Sequence, residues 1–364
     1  MTSNRPLITI ALIALPVLMM QCNSKHETAA ESQPRDSVTV IAEDFIFGDD
    51  RPFPQCHAST VLPVAGGSFL VAWFGGTHEK HDDVGIWLSK GTPGKWSAPR
   101  EVAKLREDPH WNPVLFRKDS NEVILYFKVG KTIDEWETWY MTSRDNGETW
   151  SEAKELVAGD RGGRGPVRNK PLLLSNGVLL APASNEKKGV WNAFVDRSED
   201  GGTTWTASAF VPLNRDSFPG EGVIQPALWE SQPSRVHMLL RSSAGVICRS
   251  DSEDYGKTWS PVYKTSLPNP NSGIDLTRLS NGTLVLIFNR DSTNWGARHP
   301  ISLAVSKDNG KTWPLITDLE KGSGEDEFSY PSVVSLGDTV ALTYTWKRQR
   351  IAFRMARIDY VHSP

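Results

Sequence analysis

Residues 77–83 (THEKHDD) put two histidines, three carboxylates and a lysine into one short segment. A carboxylic acid on such a loop can protonate the leaving oxygen of a glycoside, so Asp82 and Asp83 are general-acid candidates. His78, His81 and Asp82 are metal-ligand types, but their spacing matches no metal motif, and neither a metal nor another cofactor is expected. Elsewhere, six polar side chains stand at the head of apolar runs: His57, Asn112, Lys170, Gln225, Asp275 and Tyr330. Lys128, Arg168, Arg241, Arg290 and Arg298, together with Lys170, could bind a carboxylate or sulfate through charge-assisted hydrogen bonds. Trp111, Trp136, Trp139 and Trp295 suit stacking on the C–H faces of sugars or packing in a core. His110 is an alternative proton donor beside Trp111. His237 falls within a strand and reads as structural.

The elements that position these residues repeat along the chain. The pattern S-x-D-x-G-x-T-W occurs in full at 143–150, 198–205, 252–259 and 306–313, and in degenerate form at 89–96 (SKGTPGKW). Local turn chemistry accounts for it: the Asp caps nearby amides, the Gly supplies a positive φ, and Thr-Trp opens the next strand. Asp145, Asp200, Asp254 and Asp308 are therefore read as structural.

About 30 residues before each box, an apolar strand begins at 57–62, 112–116, 170–174, 225–229, 273–279 and 330–334. Each unit reads as four strands, which predicts an all-β, six-bladed β-propeller of four-stranded antiparallel blades. The last unit, 325–360, has no box, and the run 38–47 is expected to supply its missing strand. Closing the ring with both termini leaves no open sheet edge. In a propeller the heads of the innermost strands converge on the channel, which makes the six polar residues one candidate binding ring.

The formal net charge of −3 over 364 residues offers no basic field for nucleic acid. Arg5 and the apolar run 7–20 read as a signal peptide spanning 1–21, too short for an ordinary membrane span. Cys22 follows directly, as at a bacterial lipoprotein cleavage site, with Gln21 where a small residue is usual. Residues 22–37 read as a polar tether and 38–364 as the propeller. The expectation is an exported envelope protein, periplasmic, outer-membrane or secreted, attached through a lipidated Cys22 and monomeric. With three cysteines no disulfide framework is implied.

The Asp boxes, the six units and the Tyr330-Pro331 segment resemble the bacterial sialidase (neuraminidase) superfamily in its BNR-repeat branch, over residues 40–360. That resemblance implies a carboxylate clamp of three arginines, an Asp acid/base, and a Tyr nucleophile helped by a Glu. Tyr330 matches the nucleophile, Asp82 or Asp83 the acid/base, Arg241 the second arginine, and Arg298 or Arg290 the third. His57 stands in place of the first arginine, and Gln225 in place of the Glu. Gln225 cannot accept a proton, which leaves Glu221, Glu325 or Glu327 to assist Tyr330. The resemblance thus implies an exo-acting glycoside hydrolase that removes an acidic or deoxy sugar from a glycan or polysaccharide. The alternatives are a non-catalytic carbohydrate-binding propeller and a polysaccharide lyase with His57 or Tyr330 as base.

Overall fold

The computed structural model describes residues 36–360 and the first two residues. The expected signal segment, Cys22 and nearly all of the tether lie outside the described residues. Among the described residues the strands form six antiparallel sheets, each built on a path of four strands. Two three-residue 3₁₀ turns, Ala65–Gly67 and Ile133–Glu135, are the only helical elements described.

The blades follow chain order. Blade 1 consists of Gln55–Pro63, Phe69–Gly76, Gly85–Thr92 and Lys95–Trp96, with Arg100–Ala103 pairing its third strand. Blade 2 runs through His110–Arg117, Val123–Val129, Glu137–Ser143 and Lys154–Glu155. Blade 3 is Leu172–Leu173, Leu179–Lys187, Val190–Ser198 and Thr206–Ala207. Blade 4 is Val223–Gln232, Arg235–Ser242, Val246–Ser252 and Tyr263–Pro268. Blade 5 is Asp275–Arg278, Leu284–Asn289, Ile301–Ser306 and Leu315–Glu320. Blade 6 takes Phe328–Leu336, Thr339–Trp346 and Arg350–Asp359 from the C-terminal end, and Ser37–Phe45 closes it antiparallel to the last of these. The expected closure by both termini is therefore observed.

The strands are apolar because both faces of a blade are covered by neighbouring blades. Leu284–Asn289 (LVLIFN) is buried at every position. Each Asp box then forms the same turn. Ser143 Oγ donates to Asp145 at 2.7 Å, Gly147 N donates to Ser143 Oγ at 2.8 Å, and Thr149 N donates to Asp145 at 2.9 Å. Asp200, Asp254 and Asp308 repeat the Ser and Thr bonds at 2.8 and 2.9 Å. Gly147, at φ +84°, lies so close to the neighbouring blade that an added Cβ would meet Leu70 Cδ1 at 2.6 Å. The degenerate box of blade 1 has no Asp, and Asp44 of the closing strand replaces it, accepting from Gly94 N and Trp96 Nε1, both at 2.7 Å.

His237 joins a network on blade 4. Its Nδ1 meets Asp251 at 2.5 Å, its Nε2 meets Ser231 Oγ at 2.7 Å, and its ring stacks on Trp229 with centroids 4.9 Å apart.

Four innermost strands carry a β-bulge at their channel end, where pairing skips two residues. The skips fall between His57 and Thr60, Trp111 and Val114, Ile224 and Ala227, and Ser329 and Ser332. In each, the first skipped residue has positive φ: Ala58 at 57°, Asn112 at 41°, Gln225 at 53° and Tyr330 at 51°. Three of the four are followed by Pro113, Pro226 or Pro331, which lack an N–H and are tolerated where the ladder is interrupted. A bulge re-aims its side chain, here toward the channel. Non-glycine residues at positive φ are costly and cluster at functional sites.

This register corrects one expectation. Ala58, not His57, is equivalent to Asn112, Gln225 and Tyr330, so His57 takes the place of Trp111, Ile224 and Ser329.

Candidate active site

The bulges open into a cleft of about 390 Å³. Asn112, Gln225 and Tyr330 line it, as do Trp111, Arg241 and Arg298. Trp136, Trp191 and Trp295 form aromatic parts of its wall.

Tyr330 is the centre of a cationic cradle. Arg241 Nη1 donates to the Tyr330 hydroxyl at 2.7 Å. The guanidinium carbons of Arg168 and Arg298 each lie 5.4 Å from the ring centroid, and that of Arg241 lies 5.8 Å away. Arg168 also holds the bulge itself, donating Nη2 to the carbonyls of Tyr330 at 2.5 Å and Pro331 at 2.7 Å. Burial pushes the Arg168 guanidinium down to about 10, against the opposing influence of Asp275 and Tyr330. Arg241 is fixed from a second side: Nε donates to Asn271 Oδ1 at 2.7 Å and Nη1 to Gln225 Oε1 at 3.3 Å. Trp191 and Trp295 flank its guanidinium at 5.5 and 5.6 Å.

A chain of ion pairs runs along one edge of the cleft. Arg298 Nη1 meets Glu327 at 2.9 Å, Arg348 Nε meets the other Glu327 oxygen at 2.9 Å, and Arg348 Nη1 meets Glu79 at 2.5 Å. Burial works to raise the Glu327 carboxyl, but Arg348 and Arg298 hold it below the usual range. Glu327 is thus engaged by arginines rather than by Tyr330. Of the other two carboxylates considered as helpers, Glu325 is exposed and Glu221 is half-buried, and neither lines the cleft.

His57 lies behind Tyr330, not in the cleft lining. It is 2 % exposed, and its ring centroid is 4.2 Å from that of Tyr330. Burial, then the charges of Arg348, Arg298, Arg168 and Arg241, hold its pKa far below the ordinary histidine value. His57 is therefore neutral, and its 3.9 Å approach to Glu327 is not an ion pair. Its part is to support the Tyr330 ring.

Several other expected site residues are placed elsewhere. Lys170 and Asp275 pair with each other across blades at 2.8 Å, and Asp275 accepts the Val333 amide at 2.8 Å, so both are spent on holding blades 3, 5 and 6 together. Arg290 is 44 % exposed and paired with Asp318 at 2.9 Å. Asp82 and Asp83 do not reach the cleft; Glu79 and Lys80 of the same loop do. Asp83 accepts from Thr77 N at 3.0 Å and Thr77 Oγ1 at 2.6 Å, and meets His81 Nδ1 at 2.8 Å. Burial favours its neutral form, but these bonds outweigh that and keep it ionised. His110 is fully buried, with Nδ1 on the Asp108 carbonyl at 2.8 Å and Nε2 accepting from Leu105 N at 2.9 Å, so it has no proton to offer a substrate. Among the described residues no three His, Cys, Asp or Glu side chains converge as a metal-holding group.

Several cleft residues escaped sequence reasoning, among them Glu79 as a lining group, Asp134, Glu186, Trp191 and Arg348. Arg348 follows a strand end with no box or proline beside it, and nothing in the sequence singles out Glu186 at the end of Leu179–Lys187. Glu186 is half-buried, and burial pushes its carboxyl up to about 7 against the influence of Arg241 and Lys128.

Residues 67–342 match the BNR repeat-like domain. The chain belongs to that family. No curated protein matches it by sequence. Solved structures share the fold of this BNR repeat-like propeller at low identity. A Dyadobacter fermentans protein of unknown function is 16 % identical, with TM-score 0.72 over 88 % of this chain and 99 % of its own. A Hadza microbial sialidase is 17 % identical, with TM-score 0.73 over 86 % of this chain and 68 % of its own. The NanB sialidase of Streptococcus pneumoniae is 14 % identical, with TM-score 0.66 over 88 % of this chain and 70 % of its own.

Proposed function

We propose that this propeller is a sialidase-like glycoside hydrolase that removes an acidic sugar from the end of a glycan or polysaccharide. The observation that carries this is the Tyr330 hydroxyl, held at 2.7 Å by Arg241 on a cleft wall shared with Arg298. An anionic sugar repels a carboxylate nucleophile but not a phenol, so tyrosine suits such a substrate. The arginines serve twice. They bind the sugar's anion by charge-assisted hydrogen bonds, and they stabilise the negative charge that develops on Tyr330 Oη as it attacks the anomeric carbon. They supply electrostatically part of what an adjacent carboxylate base would supply, while the phenol proton leaves to water in the cleft. Trp295, 55 % exposed, offers a stacking face for the sugar ring, whereas Trp111 and Trp136 are buried against each other in the wall. At about 390 Å³ the cleft is at the small end of ligand sites, roughly 300–1,000 Å³, which favours a terminal sugar over a long chain.

The same reading puts the protein at its glycan outside the cytoplasm, exported by the segment 1–21 and attached to the envelope through a lipidated Cys22. The deciding experiment is a screen of acidic oligosaccharides for release of a saturated monosaccharide. Unsaturated, ultraviolet-absorbing products would mark a lyase instead. The base in that case would be Tyr330, which lines the cleft, rather than His57, which does not.

Gln225 favours one second reading, a carbohydrate-binding propeller without turnover. It occupies the bulge position on blade 4 and accepts from Arg241 at 3.3 Å, but it cannot serve as a base. Measurable glycan binding with no product would support that reading and exclude hydrolysis.

A further inference from the structure

Three carboxyl groups line the cleft: Glu79, Asp134 and Glu186. Glu79 is spent on an ion pair with Arg348 at 2.5 Å. Asp134 lies in the 3₁₀ turn Ile133–Glu135 and meets the Lys188 amide at 3.5 Å. No hydrogen bond or ion pair with another described residue engages the Glu186 side chain. Its strand neighbour is Trp191, which it faces in register, and Trp191 and Trp136 both share its stretch of cleft wall. A carboxyl group beside indoles and without a cation in contact retains its proton more readily than one in water. The charged groups acting on it from the surrounding elements are Arg241 and Lys128, which favour the carboxylate, and Asp134, which favours the acid.

Its place in the ring is as telling as its surroundings. Blades 1 to 6 close in chain order, so blade 3, which carries Glu186, lies across the ring from blade 6, which carries Tyr330. A glycoside bound in the cleft therefore has the phenol on one side and Glu186 on the other. Hydrolysis requires this division of labour, with one group at the anomeric carbon and an acid at the leaving oxygen.

We propose that Glu186, rather than the Asp82-Asp83 loop, is the proton donor to the leaving oxygen of the glycoside. This rests on the glycosidase reading above. As the bond between the anomeric carbon and the glycosidic oxygen breaks, the Glu186 carboxyl transfers its proton to that oxygen, and the aglycone departs as an alcohol. Tyr330 Oη bonds to the anomeric carbon in that step. The Glu186 carboxylate then takes a proton from the water whose oxygen displaces Tyr330, and the freed phenolate recovers the proton it had given to water. The balance is one water consumed and two hydroxyls formed, with Glu186 returned to the acid. Asp83 cannot take this part while its oxygens are occupied by Thr77 and His81 outside the cleft.

The test compares the wild type with Glu186→Gln, a nearly isosteric change, using 4-nitrophenyl glycosides and oligosaccharides of N-acetylneuraminic, glucuronic and galacturonic acids. Nitrophenol leaves without help from an acid, whereas a sugar alcohol does not. The variant is expected to lose at least about 10²-fold in kcat on oligosaccharides, far less on the nitrophenyl glycoside, and to lose the alkaline limb of the kcat–pH profile. Equal losses on both substrates, or full activity on oligosaccharides, would overturn the assignment while leaving the glycosidase reading intact. The same leaving-group signature appearing in Asp83→Asn instead would do likewise. A wild type that hydrolyses none of the panel overturns the glycosidase reading and this role with it. An independent arm needs no turnover: the infrared band of a protonated carboxyl near neutral pH should be present in the wild type and absent in Glu186→Gln, and its absence from the wild type would refute the proton donor directly.

Discussion

Arg241 donates to the Tyr330 hydroxyl at 2.7 Å although the two residues are 89 positions apart, on blades 4 and 6. Arg241 is 3 % exposed, and its Nε and Nη1 also reach Asn271 and Gln225, so its orientation is fixed before any ligand arrives. A preorganised donor of this kind stabilises charge that develops on the oxygen without reorganising during the reaction.

Tyr330→Phe should therefore lose at least about 10²-fold in turnover on an acidic glycan that the wild type cleaves. Binding, measured by calorimetry on the same glycan, should survive, because the arginines remain. Full activity in the variant would exclude Tyr330 as nucleophile.

Arg241→Lys should be a severe change despite keeping the charge. A lysine cannot reproduce the guanidinium fork that reaches Asn271, Gln225 and Tyr330 together. Expected are a rise in KM and a fall in kcat of roughly tenfold or more each, since one donor lost from such a site costs about 2.7 kcal/mol or more. Steady-state kinetics that match the wild type would show that the fork is not needed.

Asp254→Ala and Asp308→Ala should destabilise by about 1 kcal/mol each, from lost turn hydrogen bonds, and leave substrate choice alone. A chemical-denaturation series reads this directly. Partial burial works to raise both carboxyls, but bonds from Thr258 and Thr312 bring each down to about 2. Because the folded pKa is depressed, the contribution is fully present above the unfolded value of about 3.9 and is lost as pH falls toward about 2. Wild-type stability should therefore drop across that window more steeply than that of the double variant. Parallel curves would show that these carboxylates do not contribute in this way.

Lys170→Met should lower the melting temperature without changing product identity. It leaves Asp275, 2 % exposed, without its cation but still bonded to the Val333 amide. The expected cost is roughly 1–3 kcal/mol. It falls below the 3–5 of a fully buried pair, because the Lys170 side chain is 26 % exposed. An altered product spectrum at unchanged stability would return Lys170 to the binding site.

The sequence by itself determined the architecture of this protein, because the information is local. Each of the four full Asp boxes closes its turn with partners no more than four residues away in the chain, as Asp145 does with Ser143 and Thr149. A turn of that kind shows in any one repeat, and its period counts the blades. Tyr330, Gln225 and Asn112 were legible for a related reason: each heads an apolar strand and stands before a proline. Only the tertiary structure decided which charges face the cleft. A bulge displaces the register by one residue, which put Ala58 on the channel and His57 behind Tyr330. Lys170 and Asp275 looked like ring members until an inter-blade ion pair consumed both. Asp82 and Asp83 carry the right functional group, yet the loop turns Glu79 and Lys80 inward instead. Glu186 has no motif at all, because its chemistry comes from neighbours on other strands and blades: Trp136 and Trp191 beside it, Arg241 facing it, and Tyr330 across the ring. Proximity of that kind arises only when six separately encoded blades close on one axis.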